Sequence, residues 1–220
     1  NFLFKDYRKS DISKEFNRYP VNSITRALSN FGIALREFHK KERTNKHFIL
    51  EDFKEKTKTY IEFFRLSRID ENFLERLSLT LLGFPNTGIK LSEVNTLKGI
   101  DIRQIFCDVD NKLQIIDPGK MSKGYSEIDI ARFVVTCRII YHGTFRMLYK
   151  KTPHQSYEDY FLLGYYKDES PSKALNLLII KEYLKQWKMV HTSLRARKLP
   201  KVLIYLLKKF YFDPFYKDLI

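Results

Sequence analysis

Two short β-prone segments lie close together in a chain whose other apolar residues recur mostly at helical spacing. Residues 102–107 and 112–116 are rich in β-branched residues, and turn residues separate them. This pattern predicts a β-hairpin that pairs residues 104–108 with residues 112–116. A two-stranded hairpin is only marginally stable in water, so it must pack against helices. A helical bundle with one embedded hairpin is unusual, and this restricts the fold more than composition does.

Helical periodicity accounts for much of the remaining chain. Ile24, Leu28, Phe31, Leu35 and Phe38 recur at alternating spacings of four and three, which places them on one helix face. The same reasoning predicts helices over residues 21–40, 49–66, 71–82, 157–163, 170–194 and 201–212, and a further helix capped by Ser126. Pro171 is expected in the first turn of its helix, where its missing N–H does no harm. The predicted fold class is mainly α, a helical bundle with one small β-hairpin.

Composition favours a folded cytoplasmic protein with anionic partners. Hydrophobic residues make up 44% of the 220 residues, which is enough to fill a core. No run approaches the ~20 apolar residues of a transmembrane segment, and the first residues do not form a signal peptide. Cys107 and Cys137 lie in apolar runs, as buried thiols do in a reducing compartment.

The charge balance leaves several partners open. Lys and Arg number 40 against 26 Asp and Glu, a formal net charge of +14. This favours nucleotide phosphates, nucleic acid or an anionic membrane surface, although solvated helix faces explain the charge equally simply. Without a helix-turn-helix or RNP-like signature, nucleic-acid binding is expected to be weak and non-specific. The five histidines form no H-x-x-x-H pair, so no zinc site is predicted.

The candidate chemistry lies around the hairpin. Asp117 follows the second β-prone run and precedes Pro118 and Gly119, so its carboxylate can project from the end of a strand. Hard oxygen ligands of this kind suit Mg²⁺. The segment from Leu97 to Gly119 resembles the catalytic and metal-binding loops of the protein-kinase superfamily, in particular its aminoglycoside, choline and lipopolysaccharide-sugar kinase branch. The likeness extends over roughly residues 20–190 through three further motifs: Gly32 to His39, Asp129-Ile130-Ala131, and Tyr157 to Tyr165.

The resemblance implies a kinase-like C-terminal lobe over residues 21–220, preceded by a hinge-like lead-in over residues 1–20. It also implies Mg²⁺ and ATP as cofactors, held through Asp117 and Gln104, which falls on the family's metal-binding Asn. Gly99 falls on the catalytic Asp and has no side chain, so Asp101 is the candidate general base. The N-terminal lobe that normally covers ATP has no counterpart in these residues; it lies upstream, comes from a partner protein, or does not exist.

Two functions follow as hypotheses. The first is transfer of phosphate from ATP to a hydroxyl of a small molecule or saccharide. The alternative is a catalytically degenerate pseudokinase that serves as a binding or scaffold module.

Overall fold

The computed structural model of the chain describes residues 22–47, 49–66, 71–83, 89–107, 113–115, 119–143, 147–148, 157–196 and 201–214. The described part is mainly α-helical, as predicted. Its helices are α1 (Asn22–Lys40), α2 (Leu50–Leu66), α3 (Glu71–Leu82), α4 (Ser126–Cys137), α5 (Tyr157–Tyr166), α6 (Ala174–Ala196) and α7 (Lys201–Leu207). Among these helices, none combines the length and the apolar character that crossing a bilayer demands.

The predicted hairpin is present in the described residues. Its strands are β3 (Ile105–Cys107) and β4 (Leu113–Ile115), and they pair antiparallel with Ile105 opposite Ile115. Gln104, expected at the start of the first strand, lies instead in a 3-10 turn over Ile102–Gln104. The small sheet is supported by packing, because Ile105 is 3% exposed and belongs to the hydrophobic core.

A three-stranded antiparallel sheet was not predicted from the sequence. Its strands are β1 (Thr44–His47), β2 (Lys90–Leu97) and β5 (Met121–Tyr125), with β2 in the centre. Glu93 of β2 lies opposite Thr44 on one side and opposite Tyr125 on the other. The buried residues Val94 and Leu97 hold β2 beneath α4 and α1, so the end of β2 is fixed in the interior.

The core forms where α1 crosses α5. Phe31 of α1 packs against Phe161 of α5, with ring centroids 5.5 Å apart, and against Phe133 of α4 at 4.9 Å. The helices approach closely because a glycine from each lies at the crossing. A Cβ atom on Gly32 would lie 2.7 Å from the Tyr165 nitrogen, so only glycine fits there.

Two details of the predicted helix ends are wrong. Ser126 makes no capping bond; Tyr125 occupies the cap position of α4, and the Ser126 hydroxyl donates to Glu127 at 2.9 Å. Ser126 is therefore the first residue of α4 and not the residue that precedes it. Pro171 precedes α6, which begins at Ala174, so it is not in the first turn. Ser172 opens the helix instead, since its carbonyl accepts from the Leu175 N–H at 2.9 Å.

The C-terminal helix is attached at its far end. After α7 the chain continues as a π-helical turn over Lys208–Phe212. The Tyr183 hydroxyl donates to the Phe212 carbonyl. The Phe212 ring is 1% exposed and packs 4.2 Å from the Trp187 ring, so this turn anchors α7 to α6.

Candidate functional site

The two segments that the sequence assigns to catalysis and metal binding leave the same end of the larger sheet. The ladder between β2 and β5 ends at Leu97 opposite Met121, and the Lys98 N–H extends it by donating to the Lys120 carbonyl at 3.3 Å. Gly119 has a φ of 71°, and a Cβ atom there would lie 2.8 Å from the Gly99 nitrogen. The backbones at Gly99 and Gly119 are therefore in close contact, which brings the two loops together.

The loop from Leu97 to Gln104, here called the β2–β3 loop, is built on buried aliphatic residues. Ile100 and Ile102 are 1% and 2% exposed. The Gln104 N–H donates to the Asp101 carbonyl at 2.9 Å and closes the 3-10 turn. The Ile102 N–H lies 3.4 Å from the Thr136 hydroxyl of α4. The loop is thus packed on α4 and does not extend freely into solvent.

The predicted site residues fall differently in this arrangement. Gln104 is partly buried, and its side-chain oxygen Oε1 accepts no hydrogen bond from the residues that the structure describes. Asp101 is also partly buried and lies within electrostatic reach of the Cys137 thiol, whose pKa is raised first by burial and then by the charges of Glu158 and Asp101. Asp117 lies outside the described residues, so its predicted place in an accessible cleft is neither confirmed nor contradicted.

Two side chains of α4 hold the start of the β2–β3 loop. Asp129 is fully buried, and its Oδ2 accepts from the Leu97 N–H at 2.7 Å. Arg132 Nη1 donates to the Leu97 carbonyl at 2.7 Å, and it lies 3.6 Å from Asp129 Oδ1. Both backbone polar groups of one residue are therefore bonded to charged side chains. Charge-assisted bonds of this kind are stronger than neutral ones, so Leu97 is a fixed point for the loop that follows.

The same carboxylate begins a buried hydrogen-bonded chain toward α1 and α5. His39 Nε2 lies 3.3 Å from Asp129 Oδ2, and His39 Nδ1 lies 2.8 Å from the Tyr165 hydroxyl. A carboxylate only accepts, so the Nε2–H of His39 donates to Asp129, and the tyrosine hydroxyl is the hydrogen-bond partner of Nδ1. Burial raises the pKa of Tyr165, so the hydroxyl stays protonated and can fill this role.

A small cavity of about 60 Å³ lies at the Tyr165 end of this series of hydrogen bonds. It is lined by basic residues of α1 and the following turn, by polar residues of α4 and by tyrosines of α5; these include Arg36, Arg43, Glu127, Tyr165 and Tyr166. Burial raises the pKa of Glu127. The Ser126 hydroxyl and the charges of His39 and Arg43 act in the opposite direction. The carboxylate is thus already surrounded by the protein's own donors.

Sequence reasoning identified His39 and Asp129 only as parts of family-like motifs, and it missed Arg132. His39 and Asp129 are 90 residues apart, so periodicity could not reveal that they meet. A polar residue such as Asp129 on the apolar face of a predicted helix was the available signal. Within the described ranges, no group of three or more His, Cys, Asp or Glu side chains could hold a metal ion.

Comparison with known proteins yields no relative: no protein-family model, no curated protein and no solved structure matches this chain.

Proposed function

We propose that this chain is the helical lobe of a kinase-like phosphotransferase, whose site lies where the β2–β3 loop meets the segment around Gly119. The close contact between Gly99 and Gly119 carries the proposal. It brings the loop with Asp101 and Gln104 beside the segment that follows Asp117. Phosphoryl transfer depends mainly on positioning and on charge stabilisation, so two loops fixed at one point are what such a site requires.

The residues present suit a magnesium–nucleotide complex in one respect. Gln104 Oε1 is buried, and within the described ranges it accepts no hydrogen bond. An amide oxygen is a hard ligand of the kind that Mg²⁺ binds. Asp117 would supply the carboxylate. The bound ion would neutralise phosphate charge. The chain's own contribution is to fix the loop through Asp129 and Arg132 and to offer these two oxygen ligands.

A second candidate function is a degenerate, non-catalytic kinase module, and Gly99 is the observation that favours it. Gly99 occupies the position of the catalytic carboxylate in the resemblance and contributes no side chain. A positioned general base contributes about 10²–10⁴ in rate, so losing it without replacement leaves binding with little turnover. Asp101 is the candidate to replace the missing catalytic carboxylate.

Nucleotide binding and phosphoryl transfer by the full-length protein separate these functions. ATP binding is measured by calorimetry with Mg²⁺ and with EDTA, and transfer is measured with a panel of sugars and amino alcohols. Asp117→Ala and Gln104→Leu should each weaken Mg²⁺-dependent binding. Gln114→Leu is the matched control, because Gln114 is exposed on β4 of the same hairpin.

The outcomes are distinct. Turnover that Asp101→Asn lowers by about 10² or more supports the phosphotransferase. Mg²⁺-dependent binding without turnover supports the degenerate module. Binding that is absent, or that is indifferent to Mg²⁺ and to Asp117→Ala, excludes both.

A further inference from the structure

The surface of α7 exposes a continuous strip of apolar side chains. Four residues of this short helix are between 39% and 67% exposed: Val202, Leu203, Tyr205 and Leu206. At about 100° per residue they fall within an arc of about 160° on one side of the helix. Ile204 and the following Tyr211 point the other way and pack on the core. We call the four exposed residues the α7 strip.

The α7 strip is held rigidly on the protein body. The turn that follows it is anchored by the buried Phe212 ring and by the hydrogen bond from Tyr183. Tyr211 contacts Gly143 so closely that a Cβ atom there would lie 2.8 Å from the Tyr211 ring carbon Cγ. The strip therefore cannot be buried by a small rotation of the helix. A contiguous apolar surface on a fixed element is typical of an interaction site.

The sequence that flanks the α7 strip is basic. Residues 195–209 contain six basic residues and no acidic residue; the basic ones are Arg195, Arg197, Lys198, Lys201, Lys208 and Lys209. Asp213, just beyond, is paired with Lys208 at 3.1 Å. Lys209 is exposed, and its ammonium lies 5.8 Å from the centroid of the Tyr205 ring. Apolar residues flanked by lysines, with a tyrosine between them, are the pattern of helices that lie in the interface of an anionic membrane.

Other occupants fit this surface less well. A second copy of the chain would bring the same positive charge against it. Nucleic acid would satisfy the charge, but aliphatic side chains such as Val202 and Leu206 neither stack on bases nor hydrogen-bond to them. An anionic lipid surface satisfies both features, because it accepts the apolar side chains below the headgroups and attracts the lysines.

We propose that the α7 strip docks this protein onto the surface of anionic membranes, with Val202, Leu203, Tyr205 and Leu206 inserted below the headgroups and the basic residues that flank it in the sequence attracted to the lipid charge. This inference does not rest on the proposed phosphotransferase function. It assigns a location to the protein and not a reaction.

Vesicle co-sedimentation of the full-length protein tests the proposal. The vesicles are phosphatidylcholine alone or phosphatidylcholine with about 30% phosphatidylserine. The wild type should bind the anionic vesicles at least tenfold more tightly, and 0.5 M NaCl should weaken this binding, because salt screens surface charge. The double variant Val202→Asp with Leu206→Asp should lose at least tenfold in affinity.

The matched control adds the same charge elsewhere. Leu79 and Leu82 are 61% and 72% exposed on α3, so Leu79→Asp with Leu82→Asp should bind within threefold of the wild type. Circular dichroism and urea midpoints establish that both variants are folded. Equal losses in the two double variants, or no preference for anionic vesicles, would overturn the proposal. Retention on single-stranded RNA, or self-association through α7, in a protein that does not bind vesicles would also overturn it.

Discussion

Replacing Asp129 by alanine should destabilise the protein by about 3–5 kcal/mol, the usual cost of removing one partner from a buried charged network. The carboxylate is fully buried and accepts from the Leu97 N–H at 2.7 Å, a charge-assisted bond that by itself contributes about 1.5–3 kcal/mol. The rest comes from the groups left behind. Arg132 would lose the nearby carboxylate 3.6 Å away, and His39 would lose its acceptor.

Equilibrium unfolding in urea measures this cost, with the fluorescence of Trp187 as the signal. Trp187 is the single tryptophan and is 1% exposed, so its emission should shift when the core opens. With an m-value of about 2 kcal/mol per molar urea, a loss of ~3–5 kcal/mol lowers the midpoint by about 1.5–2.5 M.

Two further variants calibrate the result. Asp129→Asn keeps an oxygen that can accept from the Leu97 N–H, so it should lose roughly half as much. Asp168→Ala removes an exposed carboxylate and should stay within about 0.5 kcal/mol of the wild type. If Asp129→Ala also stays within about 1 kcal/mol, the buried network does not hold the loop, and the argument from it is wrong.

Three other changes have definite expected outcomes. Gly164→Ala should lower the free energy of unfolding by about 2 kcal/mol, because its Cβ would overlap the backbone of α1. In the control Gly83→Ala the new Cβ would lie at an ordinary 3.5 Å from the Leu79 carbonyl oxygen, so the free energy should stay within ~0.5 kcal/mol of the wild type. Equal urea midpoints for the two variants would contradict this. Burial raises the pKa of Glu127, so the contribution of this carboxyl to stability is complete below its unfolded pKa and is lost as pH rises through the folded pKa. Glu127→Gln cannot ionise, so its stability relative to the wild type should increase between about pH 4 and 7. Thermal melts across that range can check this. Burial also raises the pKa of Cys137, so in a Cys107→Ser background iodoacetamide at pH 8 should label it only after unfolding; rapid labelling of the folded protein would contradict its burial.

Helix positions could be predicted from the sequence because their burial is periodic. In α3 the predicted face of Leu74, Leu77 and Leu81 is buried, and the helix has the predicted limits of residues 71 and 82. In α1, Leu28, Phe31 and Leu35 are buried as predicted. Helix ends were less predictable: α4 begins at Ser126 with Tyr125 in the cap position, and α6 begins at Ala174, beyond Pro171.

The larger sheet could not be predicted because its strands lack a two-residue alternation. In β2 the buried positions include Leu91 and Val94, which are three apart, and both Thr96 and Leu97 are buried. Strands enclosed by helices and by other strands bury residues on both faces, so alternation fails as a signal. β5 carries Met121, Lys123 and Gly124, which have no shared preference for strands.

The candidate site was predictable as a segment and not as a set of contacts. The order of the motifs located the hairpin and the loop before it, whereas the roles of Gln104, Asp101 and Asp117 stay predictions. The supports of that loop come from α4, more than 30 residues away, as the bond between Leu97 and Asp129 shows. Such pairings are set by tertiary packing, and a single sequence carries no record of them.

The crossing of α1 and α5 joins two helices that the ribosome synthesises at different times. Gly32 and Gly164 are 132 residues apart, and a ribosome adding about 5–20 residues per second needs roughly 7–26 s to make the second helix after the first. During that interval Leu28, Phe31 and Leu35 have left the ribosome without the surface that will cover them. The nascent chain is thus vulnerable to aggregation during this interval, and a holding chaperone would act on α1.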